Sequence, residues 1–167
     1  MNAANKPVAT DTASQTEQPQ TRFILAQLEQ LTLVFSSTII ASIEIVERSQ
    51  ILALPFYDPA LLGIIHHSGQ IIPLICLRQV MGFPARQATE RLTVVRLSDA
   101  AEDLADIGLV VDSTLGMRSD DQLPPDLFTT NQLPDLKRPP KMQLFQPEIL
   151  ASHLWLPRKW QPLTANS

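Results

Sequence analysis

A chain of 167 residues with 44% hydrophobic and 18% charged side chains can build an ordinary globular core, which excludes a disordered or fibrous protein. Its one cysteine, Cys76, excludes an intramolecular disulfide and any set of thiolate metal ligands. With 17 acidic against 13 basic residues the net charge is −4, so no general positive field draws the chain to nucleic acid.

Residues 1–20 are polar, carry Pro7 and Pro19, and lack the apolar stretch of a secretory signal. They are expected to form a tail without packed structure. No later run supplies the roughly 18 unbroken apolar residues of a spanning helix, so a cytoplasmic protein without direct membrane insertion is expected.

Order is expected from Arg22 onward, where FILAQL and then LTLVF have strand length and strand composition. From Ser37, a possible N-cap, Ile39, Ile40, Ile43 and Val46 recur at three and four residues and predict a short helix, with a strand as the alternative. Pro55 and Pro59 bracket Phe56, Tyr57 and Asp58 and favour a rigid surface segment. LLGIIHH and QIIPLI flank Ser68-Gly69, the pattern of a hairpin. Gly69 suits a turn of positive φ, Gly63 a bulge or close backbone approach, and Pro73 an edge or bulge. Cys76 to Met81 supplies a helical turn or two, stopped by Gly82 and Pro84.

RLTVVRL and IGLVVDSTLGM predict further strands, joined by the exposed SDAAEDLAD. Asp99 through Asp126 includes eight carboxylates against Arg118 alone, which is either a solvated loop face or a docking surface for a basic partner. Eight of the 14 prolines lie from Pro124 onward, yet the same stretch carries Phe145, Leu150, Leu154, Trp155 and Trp160. An extended wrap is expected there, ending in a short helix from Pro147 to Trp155. The chain thus divides into a tail (1–20), a core domain (21–121) and a proline-rich segment packed on it (122–167).

Chemistry is sparse. Adjacent strand residues point to opposite faces, so His66 and His67 are poorly placed to share a metal ion. HHSGQ lacks the G-x-S-x-G spacing of a nucleophile elbow, and no glycine pattern makes a phosphate cradle. The carboxylates lie mainly in the acidic loop region and form no evident catalytic arrangement. The residues therefore predict no catalytic site, no metal and no cofactor. The basic end, with Lys137, Arg138, Lys141, Arg158 and Lys159, lacks strand-borne aromatics for stacking single-stranded RNA, so no nucleic-acid partner is expected.

From Phe23 to Met117 the chain resembles the CheW-like domain family, the adaptors that couple receptors to a histidine kinase in bacterial chemotaxis and related motility pathways. LTLVFSSTIIASIEIV is similar to the family's early strand and the segment after it. LPFYDPALLGIIHHSGQIIPLICLRQVMG is similar to its central proline loop, glycine, strand and N-L-R-G turn, and IGLVVDSTLGM to its later glycine-hydrophobic-Val-Asp pattern. Where the family has N-L-R-G, this chain has His66-His67-Ser68-Gly69.

The resemblance implies an all-β fold of two SH3-like five-stranded barrels with one or two short helices. It also implies a non-enzymatic adaptor without cofactor, whose partners are the regulatory domain of a CheA-like histidine kinase and the cytoplasmic tip of a methyl-accepting receptor or photoreceptor. The contact residues expected are Gly63, His66, His67, Ser68, Gly69 and Gln70. The alternative is a divergent module of the same fold that has lost receptor coupling and binds another cytoplasmic partner.

Overall fold

Alternating and continuous apolar runs of strand length pair here into two β-sheets. The computed structural model describes residues 20–129 and 141–158. The early runs form β1 (Arg22–Leu28) and β2 (Leu31–Ser36), an antiparallel hairpin turning at Glu29 and Gln30. The chain then builds β3 (Ile40–Glu47), β4 (Leu61–His67), β5 (Gln70–Cys76), the single-turn α1 (Leu77–Val80), β6 (Arg91–Leu97), β7 (Gly108–Val111), β8 (Ser113–Ser119) and β9 (Met142–Leu144). The first sheet has the order β8-β1-β2-β9 and the second β3-β6-β7-β5-β4.

The five-stranded sheet curls into a half-barrel. Just past β3, Leu52 makes an antiparallel bridge to Ile64 of β4, with reciprocal backbone hydrogen bonds of 2.9 Å. The bridge brings the chain leaving one edge strand onto the other edge. Gly63 makes this possible: its φ is +143°, and an added Cβ would sit 2.3 Å from the Leu52 carbonyl oxygen. The four-stranded sheet stays open. Among the described residues the architecture is therefore one four-stranded and one five-stranded sheet, coarser than the expected pair of five-stranded barrels.

Three expectations need correction. The helix expected over Ile39 to Val46 is a 3-10 turn at Ser37–Ile39 followed by strand β3. Pairing with β6 decides the matter, and of β3 only Val46 is buried. The helix expected from Pro147 to Trp155 is two 3-10 turns, Pro147–Ile149 and Ser152–Trp155, separated by an extended Ala151 with φ −62° and ψ 145°. Pro73 lies on an interior strand. It pairs with Ile64 and stands one residue before β5 begins its parallel pairing with β7 at Leu74, where a missing N–H breaks no ladder bond to β7.

The main core lies between the sheets, where Leu28, Leu33 and Phe35 meet Ile75, Val95, Leu97 and Leu109. A second cluster, including Ile65, Ile72, Leu74 and Val94, fills the concave side of the half-barrel. Covering on both faces explains why these strands read as nearly continuous apolar runs. Each such side chain, fully buried, contributes roughly 1.5–3 kcal/mol.

The late proline-rich stretch adds to this core. Backbone bonds from Thr32 N–H to the Lys141 carbonyl (2.8 Å) and from Phe145 N–H to the Val34 carbonyl (2.9 Å) hold β9 parallel to β2. Phe145 stacks on Phe35 with ring centroids 4.7 Å apart, and Leu150 and Leu154 are buried beside it. Trp155 packs partly buried against the same cluster. Asp58 fixes the end of this stretch: its Oδ1 accepts the Ala60 N–H (2.9 Å), and its Oδ2 lies 3.0 Å from Arg158 Nη2 and 3.7 Å from His153 Nε2. The Ala60 hydrogen bond, helped by Arg158, holds the Asp58 carboxyl below its ordinary pKa. The expected tail, the basic Lys137, Arg138 and Lys159, and Trp160 lie outside the described residues.

Candidate protein-interaction surface

The LLGIIHH and QIIPLI runs form the expected hairpin, with His67 opposite Gln70 and His66 opposite Ile71. Its two-residue turn has positive φ at both central positions, 49° at Ser68 and 82° at Gly69, the backbone that a tightly twisted hairpin requires. His66 through Ile71 are all exposed. Gly63 is buried instead, so among the six expected contact residues it supports the strand while the other five reach solvent.

Strand alternation divides these five. Ile65 and Ile72 point into the half-barrel, so His67 and Gln70, two residues away from each, lie on the same inward side at its mouth. There His67 Nδ1 lies 3.5 Å from Glu44 Oε2, joining the two edge strands, and Ser42 Oγ donates to Glu44 Oε1 at 2.6 Å. Arg96 of β6 donates to Gln70 and, at 2.5 Å, to Asp106. The mouth is thus braced by a polar group, while His66, Ser68 and Ile71 remain available on the outside. Ile71 is 65% exposed beside the turn.

Glu44, Arg96 and Asp106 carry no sequence signal for this role, because Glu44 and Arg96 stand on other strands and Asp106 in the turn before β7, and they converge only when the sheet curls. The role of Arg78 is equally unmarked in the sequence. Arg78, only 9% exposed, donates from Nη1 to Asp112 Oδ2 (2.9 Å), from Nε to the Pro84 carbonyl (2.8 Å) and from Nη2 to Glu29. Asp112 also accepts the Glu29 N–H at 2.8 Å, so the group links α1 and β7 to the hairpin of the first sheet. Asp112 ends the IGLVVD pattern, and its carboxylate explains the aspartate there.

The family model described as the CheW-like domain matches residues 22–136. The chain belongs to the CheW-like domain family. That match includes the exposed hairpin, the Arg78 link and part of the proline-rich stretch beyond Met117. The crystal structure of the scaffolding protein TtCheW from Thermoanaerobacter tengcongensis is similar to it at 21% identity, covering 60% of this chain and 65% of that one, with a TM-score of 0.47. No curated protein matches.

A CheW-like domain is a protein-interaction module with a non-catalytic adaptor role in signalling. Among the described residues, no group of three or more His, Cys, Asp or Glu could hold a metal ion, and no helix is long and apolar enough to cross a membrane.

Proposed function

We propose that this CheW-like domain couples a CheA-like histidine kinase, through the kinase's regulatory domain, to the cytoplasmic tip of a methyl-accepting receptor or photoreceptor in motility control. It acts in the cytoplasm at membrane-associated receptor arrays. On this reading the two sheets belong to a pair of SH3-like five-stranded barrels, residues 21–121 form the core, and 122–167 form a packed extension. The hairpin tip is the observation that most directly supports the proposal. A rigid two-residue turn presents His66, Ser68 and the apolar Ile71 outward, while His67 and Gln70 are tied to Glu44 and Arg96 beneath it. Preorganised contacts of this kind cost little ordering entropy on binding.

Calorimetric titration against the kinase regulatory domain and the receptor tip tests the proposal. Saturable binding is expected, and Ser68→Arg, which adds a fork of donors at the turn, should change affinity while leaving stability within about 0.5 kcal/mol. Binding to neither partner would defeat it. The neutral Ser68 in place of the family's arginine favours, as a second reading, an adaptor without receptor coupling that serves another cytoplasmic partner. Binding to the kinase domain alone would support that reading.

A further inference from the structure

The half-barrel has a second mouth. β5 leaves the hairpin at Gln70 and ends six residues later at Cys76, roughly 20 Å away at strand rise. At that end, where β6 starts and β7 finishes, a cleft of about 340 Å³ opens beneath the exposed segment between α1 and β6. Leu62, Leu92, Val110 and Val111 give it apolar walls; Arg48, Arg78, Arg86 and Arg91 line it with Asp112, while Glu29 pairs with Arg78, and Glu47 and Glu90 stand beside Arg48 and Arg91 in the adjoining cleft.

These arginines are not all committed to structure. Each nitrogen of the Arg78 guanidinium already donates, to Asp112, Glu29 and Pro84. Arg48 donates its Nε to the Thr89 carbonyl at 3.0 Å, which fixes the side chain and leaves both Nη groups for other acceptors. Arg86 comes no closer than 3.9 Å to Asp112, whose other oxygen already serves Arg78 and the Glu29 N–H. Arg91 approaches Glu47 only at 4.0 Å, between side chains 75% and 60% exposed, a pair of little energetic weight. Three guanidinium groups with spare donors therefore face solvent around apolar walls.

We propose that this cleft docks an acidic segment of a partner protein, with carboxylates paired to Arg48, Arg86 and Arg91 and an aliphatic side chain set against the walls. Guanidinium forks match carboxylates bidentately, and the apolar walls give such a segment an anchor that a free anion would not use. None of the lining residues is aromatic, so bases would find no stacking platform and nucleic acid is the poorer match. The site is distinct from the hairpin, which would let one adaptor hold two partners at opposite ends of one half-barrel.

Fluorescence anisotropy with the full-length protein tests the inference, the probe being a short fluorescein-labelled peptide of glutamate pairs separated by leucines. Saturable binding that weakens with salt is expected, and Arg86→Glu combined with Arg91→Glu should weaken it by about tenfold or more. Both side chains are exposed, so the fold should survive; Arg91→Gln alone should give a smaller loss in the same direction. Absent binding, equal binding of a glutamine version of the peptide, undiminished binding by the double variant, or tighter binding of an oligouridylate would each overturn the proposal. Ser68→Arg should leave peptide binding unchanged. Absence of kinase and receptor binding by the native protein, with peptide binding retained, would count against the hairpin reading alone.

Discussion

Arg78 and Asp112 stand 34 positions apart in the chain, yet Arg78 Nη1 donates to Asp112 Oδ2 at 2.9 Å with side-chain exposures of only 10% and 16%. The pair sits where the two sheets meet, and Glu29 completes it from the first sheet. A guanidinium held this deep needs its acceptors, because desolvating an unmatched charge costs several kcal/mol.

Asp112→Ala should therefore destabilise the fold by about 2–4 kcal/mol, since Arg78 stays buried with one acceptor gone and the Glu29 N–H loses its partner. Urea denaturation measures it. Arg78→Met should cost less, because it removes the charge together with its needs. A change below about 0.5 kcal/mol in Asp112→Ala would show that water replaces the carboxylate.

The two hairpin glycines should respond unequally. An alanine at Gly63 would meet the Leu52 carbonyl at 2.3 Å and must break the bridge that curls the sheet, whereas the space around Gly69 is open. Gly69→Ala should cost about 1 kcal/mol for its positive φ, and Gly63→Ala at least about twice that. Equal melting temperatures for the two variants would contradict the role given to the Leu52–Ile64 bridge.

The end of the chain should loosen in acid. Folding lowers the Asp58 pKa below its ordinary 3.8, so the contribution of this carboxylate is complete above that pH and disappears as pH falls through the lower, folded value. The melting temperature of the native protein should accordingly fall more steeply on acidification toward about pH 3 than that of Asp58→Asn, which cannot titrate. Parallel acid limbs would remove Asp58 from the balance.

Truncation after Asp121 should abolish cooperative unfolding and expose apolar surface to a hydrophobic dye. It strips Phe145 from Phe35 and takes Leu150 and Leu154 out of the main core. A fragment that melts cooperatively near the native temperature would show that the segment is dispensable packing.

The hairpin was legible because turn chemistry is local: Ser68-Gly69 between two β-branched runs specifies positive φ without reference to the rest of the chain. β3 was legible as a strand only as the alternative to a helix. The isoleucine spacing fits a helix face, but Ile43 and Ile45 are exposed on an edge strand, so no single buried stripe existed for periodicity to report. The parallel pairing of β9 with β2 and the convergence of Glu44, His67, Gln70 and Arg96 are long-range, with no marker near any one residue. Nothing near Arg78 marks it for burial, because its acceptors lie at positions 29, 84 and 112.

The parallel seating of β9 on β2 also sets an order of assembly. All five strands of the half-barrel lie between Ile40 and Val111, so that sheet can close once those residues have left the ribosome. The four-stranded sheet cannot: β1 and β2 are made first but wait for β8 near residue 113 and β9 near residue 142. Contacts so distant along the chain form slowly, since loop-closure entropy must be overcome before they stabilise anything. During synthesis the first-made hairpin is thus the last to be covered, and its apolar β1 and β2 are the strands most exposed to mispairing in the interval.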